Sequence, residues 1–166
     1  LGYPPLEAEA LSVHGSLLRH ASRFDEAIAL LTRAVWRADL VRDDRTLARA
    51  MSLLVDALSE GKAAYQEALR WQPHADTVIG RLGPGSREEA MLVSSFSSVL
   101  SNLNRGAEAM ALARRAVTIA EAAYGPDDYR VAQFLDTLAR SHFQLGEFPQ
   151  AAALVEHVEE PAQPLH

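Results

Sequence analysis

Cysteine is absent from this chain of 166 residues, so neither disulfides nor thiolate metal sites can contribute to its structure. No apolar run approaches the roughly 18 to 20 residues that span a bilayer, and residues 1–5 lack the basic and apolar regions of a secretion signal. Clustered positive charge is also scarce, because the net charge is -6 and Arg114-Arg115 is the only adjacent basic pair. We therefore expect a cytoplasmic protein that binds neither membranes nor nucleic acids.

The sequence repeats itself at two related spacings. Five landmarks return after 42 positions: Gly83-Pro84, Ala90, Leu103, Ala109 and Leu112 become Gly125-Pro126, Ala132, Leu145, Ala151 and Leu154. Four others return after 82 positions: Arg33-Ala34-Val35, Ala50, Leu53 and Ala57 become Arg115-Ala116-Val117, Ala132, Leu135 and Ala139. A fixed period of 20 to 50 residues is typical of a solenoid, in which each unit buries its apolar face against a neighbour. Because 48% of the residues are apolar, the chain can bury a sizeable core.

Apolar residues at helical spacing predict paired α-helices and no strand. The first pair divides near Ser22-Arg23, and the next helix runs from about Thr46 to Ser59, with Gly61 ending it and a partner starting near Lys62. The last two pairs cover about 87–101 with 105–123, and 129–145 with 148–159. We therefore predict an all-α solenoid of about four hairpins and about eight helices. It would form one domain over 1–166, with repeats at about 8–41, 46–82, 87–124 and 129–160.

Glycine and proline mark the boundaries between hairpins. The segments Gly83-Pro84-Gly85-Ser86 and Gly125-Pro126-Asp127-Asp128 each combine a glycine stop, a proline that cannot continue a helix, and a Ser or Asp cap for the next helix. Pro73 lies inside the second helix of repeat two, where it would remove a backbone hydrogen bond. We therefore predict a kink or break between Gln72 and His74.

Small and aromatic residues at fixed intervals point to a known family. In repeat one, spacings of 9, 3 and 7 separate Gly15, Phe24, Ala27 and Ala34, and repeat four keeps this arrangement with Ala139, Gly146, Phe148 and Ala151. This pattern resembles the tetratricopeptide repeat, in which small residues let two helices close and an aromatic fills the turn. The resemblance implies buried small residues in both helices of each hairpin: Gly15, Ala27, Ala34, Ala57, Ala68, Ala75, Ser97, Ala109, Ala116, Ala139 and Ala151.

The length of the repeat narrows the resemblance. Tetratricopeptide repeats ordinarily span 34 residues, whereas this chain repeats every 41 or 42, with a linker at 120–128 similar to that of the kinesin light chain type. Such arrays occur beside catalytic or regulatory domains in bacterial signalling proteins, notably in the C-terminal halves of Ser/Thr kinases. Residues 1–10 resemble a linker in phase with 125–134, so the resemblance implies a further repeat upstream.

Residues that could carry chemistry are present, but not in the arrangements that catalysis or metal binding requires. His14 and His20, two of six histidines, lie on different faces of one helix and form no His-Glu-x-x-His motif. Gly61-Lys62 lacks the upstream glycine and the following Ser or Thr of a phosphate loop. Asp43-Asp44 and Asp127-Asp128 lie in linkers, where aspartate caps helices. We therefore predict no metal site, no cofactor and no enzymatic activity.

Two groups of side chains leave alternatives open. Ser94, Ser98 and Ser101 share one helix face, so they form either a polar strip for a ligand or small residues at close helix contacts. Trp36 and Trp71 fall in second helices, where they either pack against neighbouring repeats or offer a ligand platform.

The resemblance also implies where a peptide would bind, namely the concave surface lined by the first helix of each hairpin. Ser12 and Ser16 stand where chaperone-binding members carry the Lys and Asn of a carboxylate clamp, so we expect no such clamp. Arg19 and Arg140 favour an acidic or mixed segment. The candidate lining residues are Ser12, Ser16, Arg19, His20, Leu54, Leu58, Ser94, Ser98, Ser101, Asn102, Gln133, Asp136, Arg140 and Phe143.

Two functions are compatible with these observations. The leading hypothesis is a non-catalytic interaction module, part of a bacterial signalling or regulatory protein, that binds a peptide or protein segment of unknown identity on its concave face. The alternative is a structural module of a multidomain kinase or regulator, which uses uncapped solenoid ends to dock onto another copy or onto the rest of its own chain.

Overall fold

Helices make up all the regular structure in the described part of the chain. The computed structural model describes the backbone of residues 4–159 and the side chains of residues 6–156. Within that part there are nine α-helices and one short 3₁₀ helix, which confirms the predicted all-α fold. The chain divides into two compact units, Leu1–Pro84 and Gly85–His166. Residues 160–166 and the first three residues of the predicted N-terminal linker lie outside the described backbone.

The first unit contains α1 to α5. Their bounds are Pro4–His20, Phe24–Leu40, Asp44–Lys62, Tyr65–Leu69 and Gln72–Leu82. Helix α1 pairs with α2, and α3 packs on both of them. Helices α4 and α5 then pack in turn on α3. The first helix begins four residues before the predicted start of repeat one, so residues 4–10 are helical rather than linker.

The second unit contains two stacked hairpins. Helices α6 (Arg87–Asn102) and α7 (Gly106–Tyr124) form the first, and a 3₁₀ helix at Tyr129–Val131 leads into α8 (Ala132–Gln144) and α9 (Phe148–Glu159). Helix α8 packs on both α6 and α7 as well as on α9. The predicted bounds of both hairpins agree with these to within a few residues, because their caps are local signals that a sequence carries openly.

Small residues close the hairpins, as the sequence predicted. The eleven predicted small positions are all buried, and Ala27, Ala34, Ala109 and Ala116 are fully so. At Gly15 an added Cβ would lie only 2.6 Å from Leu31 Cγ. The equivalent residue of α6, Ser97, uses its small side chain to donate a 2.8 Å hydrogen bond to the carbonyl of Ala109. A larger residue at either position would force the two helices apart.

The predicted stop-and-restart linkers are confirmed. Gly83 and Gly125 end α5 and α7 with φ of 78° and 96°, values that favour glycine. Ser86 then accepts a 3.1 Å hydrogen bond from the backbone N–H of Glu89, while Glu89 accepts one of 2.8 Å from Gly85. This pair resembles a capping box, except that Glu89 binds the N–H of the residue before the N-cap. In the second linker, Asp128 accepts from the backbone N–H of Arg130 at 2.9 Å.

The predicted end of α3 at Gly61 is wrong. The helix begins at Asp44, two residues earlier than predicted, with Asp43 as its cap, and continues through Gly61 to Lys62. It ends at Ala63, which adopts the left-handed conformation with φ of 48°. Gly61 is small for a tertiary reason: an added Cβ would lie 2.0 Å from Cγ of Phe24 on α2. The glycine therefore lets Phe24 pack against α3 instead of stopping the helix.

The predicted break in repeat two exists, but it was placed two residues too late. The chain turns at Arg70 and Trp71, between α4 and α5, rather than between Gln72 and His74. Pro73 lies in the first turn of α5, where a missing N–H costs nothing. The proline thus starts a helix instead of kinking one, and the turn precedes it.

Candidate functional site

Four of the predicted groove residues are buried and cannot line an accessible surface. Ser12, Leu54, Leu58 and Ser101 are only 2%, 1%, 2% and 4% exposed. The hydroxyl of Ser12 also donates a 2.8 Å hydrogen bond to the carbonyl of Ala8. These side chains contribute to packing between helices, so we no longer count them among the candidate groove residues. Burial at these positions depends on how neighbouring helices stack, which residue spacing does not reveal.

Arg19 links two helices instead of pointing freely into a groove. Its Nη1 donates to both carboxylate oxygens of Glu60 on α3, at 2.7 and 2.8 Å, and the side chain is 16% exposed. Ser16 is half-buried and His20 is exposed on the same helix. Of the four predicted positions on α1, His20 is therefore the most accessible to a partner.

The serine strip of α6 lies largely under the next hairpin. Ser94 makes a 3.2 Å hydrogen bond with Thr137 of α8, which places the strip at a close helix contact. Ser98 is half-buried, and its carbonyl accepts a 2.8 Å hydrogen bond from the exposed Asn102 side chain. For Ser94 and Ser101, helix contact therefore explains the serine better than a polar strip for a ligand does.

The α8 candidates are all exposed. Gln133 donates a 3.3 Å hydrogen bond to the carbonyl of Arg130, and Asp136 and Arg140 form an ion pair of 2.5 Å one turn apart. Phe143 is 62% exposed, which is unusual for a phenylalanine. An exposed pair of this kind adds little stability, so Asp136 and Arg140 remain available to a partner.

Three of these α8 residues line a cavity of about 620 Å³, which we call the α8–α9 groove. One wall consists of Asp136, Arg140 and Phe143 from α8, and the other of Phe148, Ala152 and Val155 from α9. Ala139 and Ala151 lie deeper, at 5% and 8% exposure, and form an apolar floor. Glu156 adds a second carboxylate at the rim.

Two phenylalanines form one end of the groove. Phe143 and Phe148 meet edge to face, with ring centroids 5.2 Å apart and planes inclined by 68°. Phe148 is 56% exposed and Val155 is 45% exposed, so much of their apolar surface meets water. The turn beside them is held by His142, whose Nδ1 lies 2.6 Å from Glu147 Oε2. The groove thus offers apolar walls on a fixed hairpin, with charges confined to its rim.

The residues that α9 contributes were missed by the sequence prediction. That prediction followed the first helix of each hairpin, so it included Asp136, Arg140 and Phe143 but none of Phe148, Ala152 and Val155. A signal was present, because Phe148 occupies the position of Phe24 in repeat one. Phe24 packs against Gly61 of the helix beside its hairpin, so an aromatic at this position marks a surface on which a neighbouring helix can pack.

A second group of aromatic side chains lies in the first unit. The rings of Trp36, Trp71 and His74 have centroids 5.8 to 6.1 Å apart, and Trp36 is 54% exposed. Arg81 reinforces this region by pairing with Asp39 and Asp44, from the end of α2 and the start of α3. The tryptophan contact therefore joins α2, which carries Trp36, to the turn between α4 and α5, which carries Trp71, while part of Trp36 stays accessible.

The described residues contain no group of three or more His, Asp or Glu that could hold a metal ion. No helix within them is long and apolar enough to cross a membrane.

Comparison with known families identifies the repeat. Residues 90–129, which run from α6 through α7 to the start of the 3₁₀ helix, match the model of a tetratricopeptide repeat family. None of the curated proteins compared with the chain matches it. The predicted tetratricopeptide repeat is thereby confirmed, and such repeats generally mediate protein–protein interaction and are typically non-catalytic. The kinesin light chain type and the kinase context stay predictions.

Proposed function

We propose that this protein is a non-catalytic interaction module that binds a helical segment of a protein partner in the α8–α9 groove. The observation that carries the proposal is the groove itself, an apolar cavity of about 620 Å³ whose two phenylalanines are more than half exposed. Apolar surface gathered in one concave place, with polar groups at its rim, is characteristic of sites where proteins meet.

The shape of the groove favours a helix as its occupant. It lies between two packed antiparallel helices, so a third helix can place a row of side chains against Ala139, Ala151 and Ala152. Helix-in-groove recognition uses anchors three, four and seven residues apart, which match a trough of this kind. Small alanines on the floor permit close approach, and Phe143 and Phe148 supply the contact area that anchors an interface.

Charges at the rim would set orientation and selectivity. Arg140 and the carboxylates of Asp136 and Glu156 flank the apolar floor. A segment with mixed charges beside an apolar stripe would satisfy all three groups, whereas a strongly acidic segment would meet two carboxylates. This narrows the expected partner from an acidic or mixed peptide to a mixed one.

The wider setting rests on the resemblance of the 42-residue repeat alone. It supports a module within a cytoplasmic bacterial signalling or regulatory protein, where the array would hold a partner near another domain. Within the second unit, the predicted peptide surface would extend from the groove along Gln133, with Ser98 and Asn102 as its other accessible positions. Within the first unit, Ser16 and His20 are the accessible predicted positions.

The proposal can be tested by affinity capture with three baits: the wild-type chain, Ala152→Arg and Ala122→Arg. Both alanines are exposed, but only Ala152 lines the groove. Proteins retained by the wild type and by Ala122→Arg, but lost with Ala152→Arg, would be identified and titrated as purified segments. We expect at least about tenfold weaker binding to Ala152→Arg. Equal retention by all three baits would contradict a role for the groove.

A further inference from the structure

The hairpins α1–α2 and α6–α7 carry residues at the same repeat positions as α8–α9. Each has an equivalent of the α8–α9 groove, and in both hairpins a neighbouring helix covers it. Phe24 at the start of α2 meets Gly61 near the end of α3. Gly106 at the start of α7 leaves room for Leu145, whose Cδ2 would lie 2.6 Å from an added Cβ. Phe148 at the start of α9 follows these two positions by 124 and 42 residues. In each covered case, the element beside the hairpin is the first helix of another hairpin.

The wall residues of the groove also correspond to residues that are covered in the preceding hairpin. Asp136 and Phe143 stand 42 residues after Ser94 and Ser101, and Val155 stands 42 after Ala113. Ser101 and Ala113 are 4% and 0% exposed, and Ser94 bonds to Thr137 of α8. The α8–α9 groove is therefore the open form of a site that α8 itself fills on α6 and α7.

One first helix of the described chain has its corresponding face uncovered. On α1, Leu6, Val13 and Leu17 are 63%, 54% and 63% exposed, and their spacing places them on one face together with Ala10. The same face is covered elsewhere in the chain. In α3, the residues 42 positions after Leu6, Ala10 and Val13 are almost fully buried: Ala48, Ser52 and Val55, at 0%, 3% and 0% exposure. In α8, the residues 124 positions after Ala10, Val13 and Leu17 are also buried: Phe134, Thr137 and Ser141, at 1%, 8% and 1% exposure.

We propose that α1 of a second copy of this chain occupies the α8–α9 groove. Seated as α8 is on α6 and α7, it would place Val13 against Asp136, because these residues correspond to the contacting pair Thr137 and Ser94. The end of α1 near His20 would lie against Phe148. This inference rests on the proposed function of the groove, and it names the occupant.

Charge and shape agree with this occupant. Glu9, the acidic residue nearest the exposed stripe of α1, lies 3.6 Å from Arg49 of its own chain in an exposed ion pair, as Asp136 does with Arg140, so both weak pairs can rearrange when the two surfaces meet. The stripe consists of leucine, valine and alanine side chains, which suit an alanine floor that two phenylalanines close at one end. Binding would cover exposed apolar residues on both partners at once, which drives association.

The contact is heterologous, since two different surfaces meet. In a dimer joined by one such contact, one copy keeps an unused groove and the other an unused α1, so assembly would proceed beyond a dimer unless a ring closes. A damaged α1 and a damaged groove should therefore complement one another. A mixture of the two variants retains one good joint, whereas each variant alone retains none.

Sedimentation velocity of the whole chain over a wide concentration range tests this. We expect species larger than a dimer for the wild type and for the control Leu40→Glu, whose leucine is 72% exposed on α2. Leu17→Glu alone and Ala152→Arg alone should stay monomeric, with association at least about tenfold weaker. Their equimolar mixture should give a heterodimer and nothing larger. Far-ultraviolet circular dichroism would verify that each variant is folded.

Other outcomes would separate this inference from the proposed function. A wild type that stays monomeric, while Ala152→Arg loses a different captured protein, would overturn the second copy as occupant and leave the groove's function standing. Wild-type assembly that Ala152→Arg does not weaken would overturn the inference as well. A mixture that fails to form the heterodimer would show that α1 and the groove are not the two contacting surfaces.

Discussion

The hairpins α6–α7 and α8–α9 share one register but differ in what lies beside them. Ser94 and Ser98 in the covered hairpin become Asp136 and Arg140 in the open one, 42 residues later. The covered hairpin α1–α2 carries serines at the same two places, Ser12 and Ser16. Residues at these positions thus distinguish hairpins that a helix of the same chain covers from the one left open: serine permits close contact, whereas the charges of α8 require water or the polar groups of a partner.

Adding a side chain where Phe24 packs on α3 in the first unit should produce the largest effect on stability. In Gly61→Val, the new side chain would collide with Phe24, since even a Cβ would lie 2.0 Å from its Cγ. We expect the free energy of unfolding in urea to fall by about 3 kcal/mol. Gly80→Ala is the matched control, because nothing lies within 4 Å of the added Cβ. That change in helix α5 should instead add about 0.5 to 1 kcal/mol, and equal losses in both variants would contradict the packing explanation.

Exchanging one residue between the two hairpins sharpens the comparison directly. Ser101→Phe gives α6 the residue that α8 has at Phe143, but the site is 4% exposed, so we expect a loss of about 1 to 3 kcal/mol from overpacking. Phe143→Ser makes the reverse change at a site that is 62% exposed. It should cost about 1 kcal/mol or less, chiefly the edge contact with Phe148. Thermal or urea unfolding measures both, and similar costs would show that the two grooves do not differ in coverage.

The smallest expected difference concerns how the two hairpins begin. Hydrogen bonds from the Arg130 side chain, and then from its backbone N–H, lower the pKa of Asp128 from 3.8 to about 2. Since the pKa is lower in the folded chain, this contribution to stability is complete above pH 3.8 and disappears as the pH falls through about 2. The carboxyl carbon of Asp128 should titrate with a midpoint near pH 2 by NMR. Asp128→Ser, which copies the cap at Ser86, should remove this pH dependence, and an ordinary aspartate midpoint would refute the assignment.

Local signals explain why most of the fold could be predicted from the sequence. The caps at Ser86 and Asp128 and the glycine stops at Gly83 and Gly125 act within a few residues, so spacing and residue type reveal them. Gly61 and Pro73 were misjudged for different reasons. Gly61 is required by a contact with Phe24, which is distant in sequence, so no local pattern reveals it. Pro73 lies at a helix start, where proline is tolerated.

The candidate site was predictable only in part. Asp136, Arg140 and Phe143 follow from the family's first-helix surface, and the structure brings them together in one groove. Ser12, Leu54, Leu58 and Ser101 follow from the same argument, yet they are covered. Coverage depends on which helix stacks beside each hairpin, a long-range property, whereas spacing defines only which face of a helix a residue occupies.

Disulfide trapping tests the central claim, that the uncovered α8–α9 groove binds α1 of another copy. The chain has no cysteine, so single cysteines can be introduced cleanly. Val13→Cys and Asp136→Cys would be mixed under mild oxidation and resolved on a non-reducing gel, beside Leu40→Cys mixed with Asp136→Cys. We expect a band of twice the chain's mass for the first mixture, well above the second. Equal bands in both mixtures, or none in the first, would contradict the account.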